Sequence, residues 1–165
     1  MYPFRIYNNI FLQNEVNIMT VTFFGHSKSP QSITDTLEKT IIHLIEQHGA
    51  SVFYIGTHGN FDKYANLILN KLSKQYSHIK CNTVLAYMPQ SNELPKHYNS
   101  TILPESVAES HPKYAISKRN EWMLNECDTV VAYVTHQNGG ASKYYQKAIR
   151  LNKTVINIAT INKSS

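Results

Sequence analysis

Short β-like runs alternate with stretches of helical periodicity along most of the chain, and three glycine-bearing loops lie where such a run passes into a helix. The loops occupy residues 24–27 (FGHS), 55–62 (IGTHGNFD) and 134–140 (VTHQNGG). In an open α/β sheet, ligands bind in the crevice outside the carboxyl ends of the strands. Glycine there lets the backbone approach a phosphate, and the following helix offers free N–H groups. The three loops together predict a nucleotide-type pocket at one edge of a parallel sheet.

The alternation also predicts the fold. Runs rich in β-branched and aromatic residues are predicted as strands, at 20–24, 51–55, 81–87, 129–134 and 154–158. Apolar residues recur at helical spacing between these runs, and Gly49 supplies a helix stop in the left-handed conformation. We therefore expect a single Rossmann-like α/β domain, with about five parallel strands and helices on both faces.

The length of 165 residues suffices for one domain with a buried core. We place that domain at 19–160, between an N-terminal extension at 1–18 and a tail at 161–165. The extension lacks the apolar segment of a signal peptide, and we expect it to be disordered or to act as a short partner-binding arm. The segment 88–112 contains four prolines and interrupts the alternation, which is typical of a lid or of disorder.

The net charge and the two cysteines indicate which cellular environment and which partners to expect. The net charge of +5 suits a phosphate-bearing ligand, but no block of Lys and Arg marks a nucleic-acid groove, so nucleic acid is not the expected partner. Cys81 and Cys127 stand far apart and form no disulfide framework, which favours a reducing cytoplasm. No apolar stretch approaches the roughly 18 residues of a membrane span, so a membrane is not an expected partner either.

The order of these motifs resembles that of the SLOG superfamily, a Rossmann-like group that includes the LOG phosphoribohydrolases and the DprA DNA-processing proteins. Within it, the chain is similar to the small bacterial proteins of the DUF1273 family. The segments that carry the resemblance follow one another along nearly the whole chain, at 24–27, 53–56, 59–62, 85–89, 117–123, 133–136 and 139–141. The resemblance implies a nucleotide or nucleotide-derived ligand above the sheet, strands in the order 3-2-1-4-5, and a homodimer.

One family motif is matched only in part. In LOG enzymes an Arg-xxx-Met helix precedes a Pro-Gly-Gly-x-Gly-Thr-x-x-Glu loop, and Arg119, Met123 and the pair 139–140 match its first elements. The match then fails, because 136–138 replaces the proline approach and 142–146 lacks the Gly, the Thr and the acid. The resemblance therefore supports nucleotide binding, whereas it leaves LOG-type glycosidic hydrolysis in doubt.

Arg119, Gly139 and Gly140 are the candidates for holding a phosphate or carboxylate. The planar guanidinium of Arg119 favours bidentate anion contacts, and a salt bridge to Glu121 or Asp128 is the alternative. Gly139 and Gly140 open a helix whose N–H groups can cradle a phosphate. The alternative for these glycines is a tight turn that needs their conformational freedom.

Asp62 and Glu121 are the candidate catalytic carboxylates. Cleavage of an N-glycosidic bond develops positive charge on the ribose carbon, which a carboxylate can stabilise or relieve by activating water. Asp62 lies at a predicted helix N-terminus, where it can instead complement the helix dipole or contact a ribose hydroxyl. Glu121 either reaches the pocket or faces solvent.

Three histidines, His26, His58 and His136, fall at the predicted carboxyl edge of the strands. Imidazoles there can hydrogen-bond a nucleotide, exchange protons near neutral pH, bind a transition metal or serve the structure alone. Their spacing forms no metal motif, so we expect neither a metal nor a cofactor. Tyr87, at a predicted strand end, is a candidate for stacking on a base. The other candidate ligand-binding residues are Gly25, Ser27, Gly56, Gly59, Asn60, Thr135 and Ala141.

Three functions remain open at this point. The first is a protein that senses or sequesters a nucleotide-derived small molecule, with 25–27 beside its base or sugar and Asp62 on its ribose. The second is a nucleotide N-glycosidase, phosphoribohydrolase or deoxyribosyltransferase that uses Asp62 or Glu121. The third is a DprA-like nucleic-acid accessory protein, which the mild net charge supports only weakly.

Overall fold

The computed structural model describes residues 18–90, 98 and 100–161 of the chain. Most of the predicted N-terminal extension (1–17), most of the predicted tail (162–165) and part of the predicted irregular segment (91–97 and 99) lie outside the described residues.

Within the described ranges, six parallel strands form one sheet. The strands are β1 Met19–Gly25, β2 Ala50–Ile55, β3 Lys80–Val84, β4 Ser100–Ile102, β5 Thr129–Tyr133 and β6 Thr154–Asn157. They lie side by side in the order β4-β3-β2-β1-β5-β6. The Rossmann-like α/β class is confirmed, and the five predicted strands lie in the expected order, with β4 added at the edge beside β3.

Helices cover both faces of this sheet. The helices are α1 Thr34–His48, α2 Gly59–Leu72, α3 Glu105–Ala108, α4 Ala115–Glu126, α5 Gly140–Arg150 and α6 Ile158–Ile161. The first helix ends as predicted, because Gly49 follows it in the left-handed conformation with φ 69°.

The two faces of β1 show how the core is divided. Successive side chains of a strand point to opposite faces. Val21 and Phe23 pack with the apolar faces of α1 and α2, whereas Phe24 packs on the other side with α4 and α5. There its ring stacks on Tyr144 of α5, with 5.2 Å between the ring centroids. Because β1 is covered on both sides, the loop that follows it starts from a rigid base.

Three details of the predicted strands are wrong. The sequence does not predict β4, because a three-residue edge strand inside a proline-containing segment is too short to show an alternating pattern. The strand predicted at 81–87 ends at Val84, and Ala86 beyond it packs in a small apolar cluster. Ile158 begins α6 rather than ending β6, since the Asn157 side chain accepts the Ala159 N–H and caps the turn.

The strand order places a topological switch point between β1 and β5. The chain leaves β1 towards β2, β3 and β4 on one side, and later crosses back to β5 on the other side of β1. The loops after β1 and β5 therefore diverge and leave a crevice between them, where ligands bind in folds of this class.

Candidate functional site

A pocket of about 330 Å³ opens at the switch point, above the carboxyl ends of β1 and β5. Ten of the residues predicted as site residues line it: Gly25, His26, Ser27, His58, Asp62, Arg119, His136, Gly139, Gly140 and Ala141. The three glycine-bearing loops and α4 thus converge on one pocket.

The N-terminus of α5 forms one wall of this pocket. Gly139 precedes the helix with φ 94°, a conformation that favours glycine. As the N-cap residue, Gly139 has no side chain with which to cap the helix, and the first turn carries no acidic residue. A Cβ on Gly140 would meet nothing within 4 Å, and the φ of Gly140 is not positive. The fold therefore does not require glycine at 140, and there is open space beside the backbone at this position.

Arg119 projects from α4 into the floor of the pocket and is only 2% exposed. Its Nη1 donates to the Val84 carbonyl at 3.2 Å and to Thr57 Oγ1 at 3.1 Å. Its Nε donates to Asn120 Oδ1 at 2.8 Å, and its Nη2 lies 3.4 Å from His58 Nδ1. The guanidinium thus joins the ends of β2 and β3 to α4.

The two acids considered as salt-bridge partners of Arg119, Glu121 and Asp128, contact other groups. Glu121 pairs with Lys147 of α5 and does not line the pocket, so the structure does not place it as a catalytic carboxylate. Asp128 accepts the Thr20 N–H at 2.8 Å. Neither acid neutralises Arg119, and the acid that faces it is Asp62.

Asp62 lies at the start of α2 and is 8% exposed. Its Oδ2 accepts the His58 N–H at 3.0 Å, which closes the first turn of the helix. Burial raises the pKa of this carboxyl to about 6, although Arg119 and the His58 N–H oppose the shift. Both roles considered for Asp62 are therefore compatible, since it caps α2 and also presents a carboxyl group to the pocket.

Gly56 leaves room for these two charged groups. A Cβ at this position would lie 2.5 Å from Asp62 Oδ2 and 3.2 Å from Arg119 Cζ. Gly56 does not line the central pocket. It contributes by allowing the carboxylate and the guanidinium to flank the backbone closely.

The buried Asp62 makes stability depend on pH. A carboxyl with a higher pKa in the folded than in the unfolded state contributes stability that is present below about pH 4 and lost as pH rises through about 6. Asp62→Asn keeps an acceptor for the His58 N–H and does not ionise. We expect the variant to be more stable than the wild type at pH 7.5, by up to about 3 kcal/mol. Urea unfolding between pH 4.5 and 8 measures the difference.

The control is Asp35→Asn, because Asp35 occupies the first turn of α1 but is exposed. It should change stability by less than about 0.5 kcal/mol at any pH. A free-energy gap between Asp62→Asn and wild type that stays constant with pH would contradict the assignment of a costly buried carboxylate.

A buried amide that the sequence analysis misses supports the loop between β2 and α2. Asn66 Nδ2 donates to the carbonyls of Gly56 and Asp62 at 3.2 and 3.1 Å. Its Oδ1 accepts the hydroxyl of Thr83 at 2.7 Å. Both side chains are buried. A lone Asn on a helix face carries no sequence signal of this kind, because its partners are fixed only by the tertiary fold.

The loops after β1 and β2 interlock through their glycines. Gly59 has φ 88°, and a Cβ there would lie 2.5 Å from Ser27 Cα. The Asn60 N–H donates to the Ser27 carbonyl at 2.8 Å. A Cβ on Gly25 would overlap the ring of Phe61. Gly59 and Asn60 therefore hold the loops together and do not line the pocket, whereas Gly25 does both.

Gly25→Ala is expected to destabilise the protein by about 3 kcal/mol, at the upper end of the usual range for overpacking. The reason is that Phe61 is fully buried and cannot move aside. Thermal or urea unfolding measures the loss. Gly140→Ala, the same substitution at an open position, is the matched control. Equal stability of the two variants would show that the Gly25 contact is not close.

Two further candidates lie outside the pocket. Tyr87 is exposed beyond the end of β3, where its hydroxyl donates to the Pro112 carbonyl at 3.0 Å. It lines a separate hollow with Leu103 and Val107, so its predicted stacking role has no place in the central pocket. Thr135 does not line the pocket either, and its N–H donates to His26 Nε2 at 2.9 Å.

Several residues that line the pocket are not among the predicted site residues: Phe23, Phe24, Lys28, Ile116, Asn120, Met123 and Asn138. Ile116 and Met123 lie three residues before and four residues after Arg119, on the same helix face. That spacing could have identified them as an apolar wall. Lys28 directly follows the loop at 24–27 and Asn138 lies within the loop at 134–140, but neither residue type by itself marks a pocket.

The three histidines meet the pocket in different ways. His26 is half-buried and stacks on His136, with 3.8 Å between ring centroids and 7° between ring planes. His58 faces Arg119, and burial, assisted by that charge, lowers its pKa. In the described residues no three His, Cys, Asp or Glu side chains lie close enough together to hold a metal ion.

Of the helices in the described ranges, none has both the length and the apolar character needed to span a bilayer.

Comparisons with known proteins agree with this architecture. The curated proteins include no significant match. Among solved structures, the chain is similar to "X-ray structure of DNA processing protein A (DprA) from Streptococcus pneumoniae", with a TM-score of 0.59 and 16% identity. The match covers 85% of this chain and 50% of that chain, so this chain spans about half the length of that structure. At this identity the likeness shows the fold alone.

A protein-family model gives a more specific result. The model described as the YspA SLOG family matches residues 17–164, nearly the whole sequence. The chain therefore belongs to the YspA SLOG family.

Proposed function

We propose that this protein binds a nucleotide or nucleotide-derived small molecule in the pocket at the switch point, with a phosphate group on the N-terminus of α5. The observation that carries the proposal is Gly140. Its side of the helix N-terminus is open, its backbone does not need glycine, and it lines the pocket. A glycine that the fold does not require is explained by a ligand that approaches the backbone closely.

The charge around the pocket supports an anionic ligand. Arg119 is buried in the pocket. The carboxyl that faces it is Asp62, whose pKa of about 6 means that this carboxyl loses its negative charge on mild acidification. Lys28 lines the same pocket. The helix N-terminus adds a partial positive charge. Among the described residues that line the pocket, Asp62 is the one acid that would oppose an incoming phosphate.

Shape and polarity favour a mononucleotide over a larger ligand. The pocket volume of about 330 Å³ lies at the lower end of the range for small-molecule sites. Ile116 and Met123 supply an apolar wall, which suits the face of a base or the carbon side of a ribose. The N-terminus of α5 and this wall together match a ligand with one charged and one flat apolar end.

A panel of melting temperatures tests the proposal. At a concentration a hundredfold above Kd, AMP or GMP should raise Tm by about 5–10 °C. Adenosine, which lacks the phosphate, should raise it far less. No shift with any nucleoside monophosphate or NAD-derived nucleotide would contradict the proposal. Salt-sensitive binding of a DNA oligonucleotide in place of these shifts would instead favour a DprA-like accessory role.

A second candidate function is hydrolysis or transfer at an N-glycosidic bond. The observation that favours it is the Asp62 carboxyl, which lines the pocket with a pKa raised to about 6 by burial. A carboxyl of this kind can exchange a proton near neutral pH. In this mechanism it would stabilise the positive charge that develops on the ribose carbon or activate the attacking water.

Chromatography for free base separates the enzyme from the binder. If the chain is an enzyme, wild-type protein releases base from a nucleoside monophosphate, and Asp62→Asn lowers the rate by at least about a hundredfold. If it is a binder, the nucleotide raises Tm without base release, and Asp62→Asn retains the shift. Base release that survives in Asp62→Asn would remove Asp62 from the mechanism.

A further inference from the structure

His26 joins the loop after β1 to the loop after β5 across the mouth of the pocket. Its Nε2 accepts the Thr135 N–H at 2.9 Å, and its ring stacks on His136. The backbone N–H of His26 donates to the Tyr133 carbonyl at 3.2 Å. Three contacts therefore connect this one residue to the segment that leads into α5.

The contact with Thr135 requires a neutral imidazole. A backbone N–H only donates, so Nε2 must carry a lone pair and the ring proton must sit on Nδ1. A proton on Nε2 would set two N–H groups against each other and would place a positive charge against the His136 ring. Protonation therefore breaks the hydrogen bond.

The segment that His26 holds is the one that positions Gly139 and Gly140. Val134 is tethered to β6, because its N–H donates to Asn157 Oδ1 at 3.1 Å and its carbonyl accepts from Asn157 Nδ2 at 2.9 Å. Thr135 is the next residue and is tethered to His26. The path from β5 to the N-terminus of α5 is thus fixed from both sides.

We propose that His26 is a positioning residue, which holds the N-terminus of α5 in its anion-binding position only while its imidazole is neutral. Acidification then weakens anion binding at this pocket. The consequence for binding depends on the function proposed above, because the position of α5 matters only where its N-terminus holds an anion.

The surroundings of His26 favour the neutral ring. From β5 and its loop it faces Tyr133 and His136. Across the pocket stand Asp62 of α2 and Arg119 of α4, while the adjoining loops add His58 and Lys28. Burial, with a smaller contribution from His136, lowers the pKa of His26. The neutral form therefore persists to a lower pH than that of an ordinary imidazole, and it is lost only in acid.

Simple electrostatics predicts the opposite trend. An imidazolium at the mouth of the pocket would attract an anion, and protonation of Asp62 would remove a negative charge. Both effects strengthen anion binding in acid. A loss of affinity on acidification that depends on His26 is therefore specific to the positioning role.

The experiment compares wild type with His26→Gln, whose amide oxygen can accept the Thr135 N–H but does not titrate. The probe is sulfate, because its charge is constant between pH 5 and 8. The shift of the Gly140 amide in NMR spectra reports binding. The ratio of the two dissociation constants cancels the contribution of Asp62.

The ratio of the two dissociation constants at pH 8, where both side chains can accept the Thr135 N–H, is the reference value. Below the pKa of His26, wild type should lose about tenfold in affinity relative to His26→Gln for each pH unit. A ratio that stays flat, or wild-type binding that strengthens more than that of the variant, would overturn the inference.

The free protein gives a separate readout, which keeps the two proposals distinguishable. No sulfate binding at pH 8 by either protein would count against the anion site itself. Even then, the Thr135 amide shift should follow the titration of His26 in wild type and stay constant in His26→Gln. A Thr135 amide that ignores the titration of His26 would refute the positioning role directly.

Discussion

Gly140→Ala is expected to weaken nucleotide binding by about 10- to 100-fold while leaving the free energy of unfolding within about 0.5 kcal/mol of wild type. The methyl group would enter the open space at the N-terminus of α5, where it would push a phosphate oxygen away from a backbone N–H. A hydrogen bond to a charged group contributes about 1.5–3 kcal/mol, and each 1.4 kcal/mol is tenfold in affinity. Stability is preserved because the added Cβ meets nothing within 4 Å.

Gly139→Ala is the companion variant. Its φ of 94° is strained for alanine, so this variant should lose about 1–2 kcal/mol of stability as well as affinity. Calorimetric titration with AMP and urea unfolding on both proteins separate the two effects. Equal losses of stability at 139 and 140 would mean that both glycines serve the turn, and the argument from Gly140 would fail.

Arg119→Ala is expected to have the largest effect on stability, with a loss of about 3–5 kcal/mol. The change leaves the buried Val84 carbonyl without its guanidinium partner and removes the positive charge that faces Asp62. Because a domain of this size has only about 5–15 kcal/mol of stability, we expect the variant to retain little of it, and urea titration at low temperature is the appropriate measurement.

Arg119→Lys is the second variant, which retains the charge without the planar fork. It should fold with an intermediate loss of stability and bind AMP more weakly than wild type, since a lysine makes fewer directed contacts. If either variant retained the full ligand-induced rise in Tm, Arg119 would not contribute to the binding of the phosphate.

The sequence predicts the helices and strands whose apolar residues recur at regular spacing. The apolar spacing at 33–45 gives α1, since Leu37, Ile41, Leu44 and Ile45 are all buried. The buried runs at 20–24 and 129–134 give β1 and β5. The order of the strands followed from the family resemblance and is confirmed, because alternation alone leaves several orders possible. The homodimer implied by that resemblance stays a prediction.

The sequence predicts that the glycine-bearing loops converge on one pocket, but it does not predict the contacts inside that pocket. Parallel strands end at one edge, so residues such as His26 and His136 had to approach one another. The partner of Asp62 and the burial of Arg119 depend on how α2 and α4 pack on the sheet, which no local pattern encodes. For the same reason the sequence does not identify Asn66, although its three hydrogen bonds fix the loop after β2.

The most direct test of the anion site is an NMR titration of the isotopically labelled wild-type protein with AMP. The account predicts saturable shifts of the Gly140 and Ala141 amides, at the N-terminus of α5, and much smaller shifts with adenosine. Saturable binding of AMP that leaves both amides unmoved, or equal shifts with adenosine, would contradict a phosphate site at this helix.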